Sequence, residues 1–101
     1  MSAITIFGAM KVKTLQKQFN KTTGAYLRVY KGVHFADENA ALESLSKEGK
    51  PAGTLIYKTS VAVQDFEKMF KEKFGITVQV AKPDNSDLAK NDASLSTVGS
   101  K

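Results

Sequence analysis

The chain contains no cysteine, which excludes disulfides, thiolate metal sites and thiol nucleophiles. That absence fits a reducing compartment, and a cytoplasmic location is the expectation. Tryptophan is also missing, and His34 is the only histidine. No acidic residue precedes Asp37. No apolar run approaches the roughly 20 residues that a membrane-spanning helix needs, so no membrane partner is expected. The stretch Met1 to Met10 is apolar but has no basic start, and it reads as a strand, not a signal peptide.

Motifs for catalysis are equally scarce. No serine sits in a G-x-S-x-G elbow, and Gly8 lacks the companion glycines of a phosphate-binding turn. Asp84, Asn85, Ser86 and Asp87 carry calcium-compatible oxygens, but their spacing matches no EF-hand loop and reads as a turn. His34 lies in a loop beside Asp37 and Glu38, and a lone loop histidine is a weak catalytic signal. The expectation is a protein that is not an enzyme, with no cofactor, no metal and no evident small-molecule site.

What is present fits one folded domain. The 101 residues have room for a single core, and 42% hydrophobic with 25% charged residues is a globular composition. The net charge of +5 is uneven. Residues 1 to 50 hold eight basic and four acidic side chains; residues 51 to 101 hold seven and six. A basic first half suits an acidic partner, and it also suits a solvated lysine-rich face.

The strongest pattern is a duplication. Lys11 to Tyr30 returns as Ala62 to Ala81, 51 residues later. Val12 meets Val63, Leu15 meets Phe66, Phe19 meets Phe70, Gly24 meets Gly75, Leu27 meets Val78 and Val29 meets Val80. The run from Phe35 returns from Leu88 at an offset of 53. The two extra residues fall within Pro83 to Asp87, a turn-rich segment where insertion is tolerated.

Each copy predicts strand, helix, strand, loop and short helix. The strands are expected at Ala3 to Phe7, Ala25 to Lys31, Thr54 to Lys58 and Ile76 to Val80. Helices are expected at about Lys13 to Thr23 and Gln64 to Phe74, ended by Gly24 and Gly75. Asp65 and Glu67 fall in the second helix's first turn, and Glu67 precedes Lys71 by four. Phe66, Met69, Phe70 and Phe74 make its apolar stripe. Asn39 is placed to cap a short helix at about Ala40 to Lys47. Glu48 to Gly53 reads as the linker between halves, and Gly99 to Lys101 as a frayed end.

The predicted fold class is α+β: two tandem strand-helix-strand repeats, about 1–50 and 51–101, in one domain. They form one four-stranded sheet with both helices on one face and a pseudo-twofold axis. The two strands of each half run parallel. The arrangement is related to the ferredoxin-like fold; a continuous parallel α/β sheet is the alternative.

The two halves differ at Tyr26-x-Arg28-x-Tyr30, whose counterparts are Thr77, Gln79 and Ala81. Two aromatics and an arginine on one open strand face would make a protein interface or a stacking platform for single-stranded nucleic acid. The alternative is that the Phe35 loop or the following helix covers them as a second small core. Lys13, Lys17 and Lys21 form a basic stripe on the first helix and complete the candidate binding set. A protein partner or self-association is the leading expectation, with nucleic acid as the alternative.

Residues 27–42, L-R-V-Y-K-G-V-H-F-A-D-E-N-A-A-L, and 74–81, F-G-I-T-V-Q-V-A, resemble a family of small uncharacterised bacterial domains of Bacteroidetes type. The resemblance extends from about Val12 to Val98. It implies an α/β domain of unknown function with no catalytic residues to carry over. The segment from Gly24 to Leu42 is also similar to the helix-to-last-strand region of ubiquitin-like domains, which bind other proteins, although the doubled unit does not match that fold.

Overall fold

The structure, a computed structural model, describes residues 2–31, 33–46 and 52–99. Strand β1 (Ser2–Ile6) leads into helix α1 (Val12–Thr23) and strand β2 (Tyr26–Lys31). A two-residue strand, β3 (His34–Phe35), and a 3-10 turn at Leu42–Ser44 close the first half. Strand β4 (Gly53–Tyr57), helix α2 (Val63–Phe74), strand β5 (Val78–Ala81) and the short helix α3 (Leu95–Gly99) follow.

Both long helices form for reasons visible along the chain. Leu15 and Phe19 on α1, and Phe66, Phe70 and Phe74 on α2, recur at four-residue spacing and are all buried. Each helix stops at a glycine in the left-handed region, Gly24 at φ 80° and Gly75 at φ 70°, where a Cβ would be strained. Their N–H groups donate back to the carbonyls of Asn20 and Lys71. Lys71 and Lys73 complement the dipole at the C-terminal end of α2, and Asp65 does so in the first turn. Glu67 plays neither expected role. It turns inward, where its carboxylate accepts the Val80 N–H at 2.8 Å.

The expected single four-stranded sheet is replaced by two antiparallel sheets. One pairs β1 with β4; the other has the order β3-β2-β5. The two long strands of each half are therefore not partners, and each pairs with its counterpart in the other half. Ile4 faces Leu55, and Arg28 faces Gln79; both pairs are 51 residues apart in sequence. The β1–β4 pair is also the central antiparallel pair of the ferredoxin-like order, but that order puts the counterparts of β2 and β5 at opposite edges, and a continuous parallel sheet has neither pair. Alternation along a strand encodes which face is buried, but not which strand lies alongside.

The split has a packing logic. Ile4, Ile6, Leu55 and Tyr57 from one sheet, and Leu27, Val29, Val78 and Val80 from the other, join one buried cluster with both helices. Four phenylalanines sit at its centre. Phe19 meets Phe66 across the helices at 5.1 Å between ring centroids, and Phe66, Phe70 and Phe74 continue the chain of rings.

The loops that follow each second strand hold the same bonds. Val12 N–H donates to the Ala40 carbonyl at 3.0 Å, and Val63 to Ala93 at 2.8 Å. Leu42 donates to Met10 as Leu95 does to Val61, and Ala36 to Val29 as Ala89 does to Val80. The short helix expected at Ala40 to Lys47 is only a single 3-10 turn. It follows Ala41, which caps it without a side-chain bond, so Asn39 is not its cap. Lys47 and most of the expected linker, Glu48 to Pro51, lie outside the described residues. Gly99 is not a frayed end: it belongs to α3 and its backbone abuts Thr23 and Gly24. Ser100 and Lys101 lie outside the described residues.

Candidate functional site

The Tyr26, Arg28 and Tyr30 side chains lie together on the outer face of β2, all half-buried. They are neither an open platform nor a closed core. Arg28 is held by the turn at 83–87. Its Nε donates to Asn85 Oδ1 at 2.7 Å and its Nη2 to the Asn85 carbonyl at 3.2 Å. Asn85 takes a left-handed conformation, φ 59°, which asparagine tolerates better than most side chains. The guanidinium also lies over the Phe35 ring, 5.7 Å from its centroid. Tyr30 stacks against the same ring at 5.2 Å and donates its hydroxyl to Gln79 Oε1 at 2.6 Å. The Tyr26 hydroxyl accepts from Gln16 Nε2 at 3.3 Å.

These groups border a cavity of about 260 Å³ lined by Gln16, Tyr26, Arg28, Phe35, Glu38 and Asn85 among others. Lys13, Lys17 and Lys21 do not line it. Lys17 and Lys21 are exposed on α1, and Lys13 is half-buried with its backbone N–H bound to the Glu38 carbonyl. The lysine stripe and the tyrosine-arginine face are thus separate features. The expectation missed Asn85, whereas Phe35 belongs to the loop named as the alternative cover of this face and does pack on Tyr30 and Arg28. The two-residue insertion at 83–87 is the sequence signal that pointed to Asn85, since the longer loop reaches back to Arg28.

His34 is exposed in β3, and among the described residues no three of His, Asp or Glu converge on a point where a metal could bind. Among the described residues, three titratable groups have altered environments. Burial pushes the Glu67 carboxyl up, partly offset by the Val80 N–H it accepts. The Ser86 hydroxyl and backbone N–H hold Asp84 down in the exposed turn. Burial pushes the Tyr57 phenol up, with the nearby Thr22 hydroxyl acting against it. The Tyr57 oxygen is buried and makes no hydrogen bond of normal geometry, while Thr22 donates to the Gln18 carbonyl.

A second surface lies on the β1–β4 ribbon, and the two halves treat it differently. At β1, the Gln18 carboxamide binds both backbone groups of Thr5. Thr5 N–H donates to Gln18 Oε1 at 2.9 Å, and Gln18 Nε2 donates to the Thr5 carbonyl at 3.1 Å. Thr5 therefore turns its backbone groups away from β4. By antiparallel alternation, the facing residue Thr54 and the next-but-one, Ile56, turn theirs outward from β4. Counterparts 51 residues on are Ile56 for Thr5 and Met69 for Gln18. A thioether cannot mimic a peptide group. Among the described residues, nothing bonds the outward N–H and C=O groups of Thr54 and Ile56.

In place of the glutamine bridge there is a groove of about 350 Å³ lined by Ile56, Tyr57, Lys58, Ser60, Val61 and Met69. The Ile56 side chain is 62% exposed. Lysines flank the open edge: Lys58 follows β4, and the Lys73 stem lies beside Gly53, with its Cε 3.8 Å from where a Cβ would stand.

Comparison with known proteins identifies no relative: no family model, no curated protein and no solved structure matches the chain. Among the described residues, no helix is long and apolar enough to cross a membrane.

Proposed function

We propose that this α+β domain is a non-enzymatic interaction module that binds another polypeptide. The observation that carries this reading is the uncapped outer edge of β4, which runs beside an apolar groove. A strand edge with unpaired amides is a template for a further strand, and natural domains ordinarily cover or blunt such edges. Gln18 does this at β1; Met69 does not at β4.

The same reading treats the chain as two copies of one unit about a pseudo-twofold axis. It is supported by the pairing of each strand with its counterpart and by the loop bonds that recur 51 to 53 residues apart. Duplication accounts for two equivalent edges, and the Gln18/Met69 difference accounts for only one being offered.

The test is selection from a display library of random linear peptides on the parent protein, with sedimentation to record its own association state. Enrichment of a peptide class that competes with itself at one site supports the reading. A monomer that enriches nothing overturns it.

Nucleic acid remains a second reading because the Phe35 ring is 64% exposed with Tyr30 and Arg28 behind it. Single-stranded RNA or DNA would stack on Phe35. Polarisation titrations at two salt concentrations, with Phe35→Ala beside the parent, check it; binding indifferent to Phe35 removes this platform.

A further inference from the structure

The open edge also has a charge signature, and it specifies the partner more narrowly than the interaction reading on which this inference rests. The outer edge of β4 presents the N–H and C=O groups of Thr54 and Ile56, a ladder that an added strand would complete. The groove between this edge and α2 takes apolar side chains on Ile56, Val61 and Met69. One lysine stands at each end of the ladder, Lys58 at the Tyr57 end and Lys73 at the Gly53 end. Neither is ion-paired among the described residues, although Lys73 Nζ lies over the Phe74 ring at 6.0 Å.

These charges decide between two occupants. A second copy of this chain would bring its own β4. Antiparallel pairing would set Lys58 of one copy against Lys73 of the other, and parallel pairing would set each lysine beside its own twin. Like charges across a strand pair are destabilising, and the whole chain already carries +5. An extended segment with a carboxylate at each end meets the opposite situation at both ends of the ladder. We infer that β4 accepts an extended peptide by strand addition, with apolar side chains in the Met69 groove and acidic residues at its two ends against Lys58 and Lys73.

The comparison between halves supplies the decisive variant. Met69→Gln places at β4 the residue that closes β1, and a glutamine there can bind the Ile56 N–H and C=O as Gln18 binds those of Thr5. The substitution is on a half-buried helix position, and a thermal melt establishes that the variant is folded. A second variant, Lys58→Glu with Lys73→Glu, changes only exposed side chains and reverses the charge at both ends.

The experiment uses two blocked peptides of alternating valine and threonine, one ending in glutamate on both sides and one in lysine. Binding is read by fluorescence anisotropy and by amide shifts in the labelled protein. The expected result is that the glutamate peptide binds, shifts the Thr54 and Ile56 amides and weakens with salt. Met69→Gln should weaken it by at least about tenfold, the scale of one or two lost hydrogen bonds. The charge-reversed variant should prefer the lysine peptide. Equal binding of the two peptides by the parent overturns the acidic specificity while leaving the interaction reading in place. No binding of either peptide, or shifts only away from β4, overturns strand addition; the library selection then decides the interaction reading independently.

Discussion

Gln18 holds Thr5 by both of its backbone groups, at 2.9 and 3.1 Å, so one side chain stands in for a neighbouring strand. Gln18→Met, which copies the second half into the first, should cost about 1 kcal/mol, because the two bonds are exposed and each is worth about 0.5–1.5 kcal/mol at most. Urea titration measures the loss. Hydrogen exchange should show the Thr5 amide losing protection while the β1–β4 ladder keeps its own. Unchanged exchange at Thr5 would mean that the glutamine bridge is not populated in solution.

Tyr57 is 3% exposed and its hydroxyl makes no hydrogen bond of normal geometry. A buried polar group without a partner is a net cost, so Tyr57→Phe should leave stability unchanged or raise it by up to about 1 kcal/mol. The ring must stay, since it packs edge-on against Phe66 at 5.1 Å between centroids. Tyr57→Ala should therefore cost several kcal/mol, about 3–5 for a large aromatic removed from a core. Thermal melts of the two variants separate the hydroxyl from the ring.

Glu67 gives a prediction in pH. Its carboxyl is pushed above its ordinary value by burial, so the folded state binds the proton more tightly than the unfolded chain does. The favourable contribution is then complete below the unfolded value and is lost as pH rises through the folded one. Glu67→Gln keeps an oxygen to accept the Val80 N–H and carries no charge. The variant should gain on the parent as pH rises from about 4 to 7, by no more than about 1 kcal/mol for a half-buried, screened group. Denaturant midpoints at several pH values check it, and a difference that is flat with pH would contradict the assignment.

Gly24 and Gly99 meet where the end of α1 touches α3. A Cβ on Gly24 would stand 2.5 Å from the Gly99 carbonyl oxygen, and one on Gly99 would collide with the Thr23 carbonyl. Gly24 also has φ 80°. Gly24→Ala should cost about 1–3 kcal/mol from backbone strain and contact together. Gly99→Ala should act differently: α3 shifts off α1, and the amides around Val98 lose exchange protection before the rest of the molecule does.

The two long helices were legible in the sequence to within a residue, because four-residue spacing and a terminal glycine report directly on local structure; the short helix expected at Ala40 to Lys47 was not, and is a 3-10 turn. The four long strands were legible for the same kind of reason, and so was the turn at Asp84 to Asp87; β3 at His34–Phe35 falls where the sequence reads as loop. Sheet pairing was not. Ile4 and Leu55 alternate with polar neighbours in the same way whichever strand lies beside them. The Tyr-Arg-Tyr strand was legible as a special face, but its occupant was not, since Arg28 and Asn85 are 57 residues apart. The groove at β4 was hidden for another reason. Met69 completes an apolar helix stripe convincingly, and its meaning emerges only when Gln18 is seen bonded to a strand edge.

The pairing of each strand with its distant counterpart also bears on how the chain is made. While the first half leaves the ribosome, β1 and β2 have no long strand to pair with; the two-residue β3 is all that follows β2 directly. The β1–β4 ladder closes only after Tyr57 has emerged, and the β2–β5 ladder only after Ala81. Until then the nascent chain carries two alternating strands with unsatisfied edges, tethered by a lysine-rich helix. Such non-local pairing slows folding and lengthens exposure to wrong partners. The lysines of α1, which border neither the Arg28 cavity nor the Met69 groove, place like charges on every copy of that waiting segment.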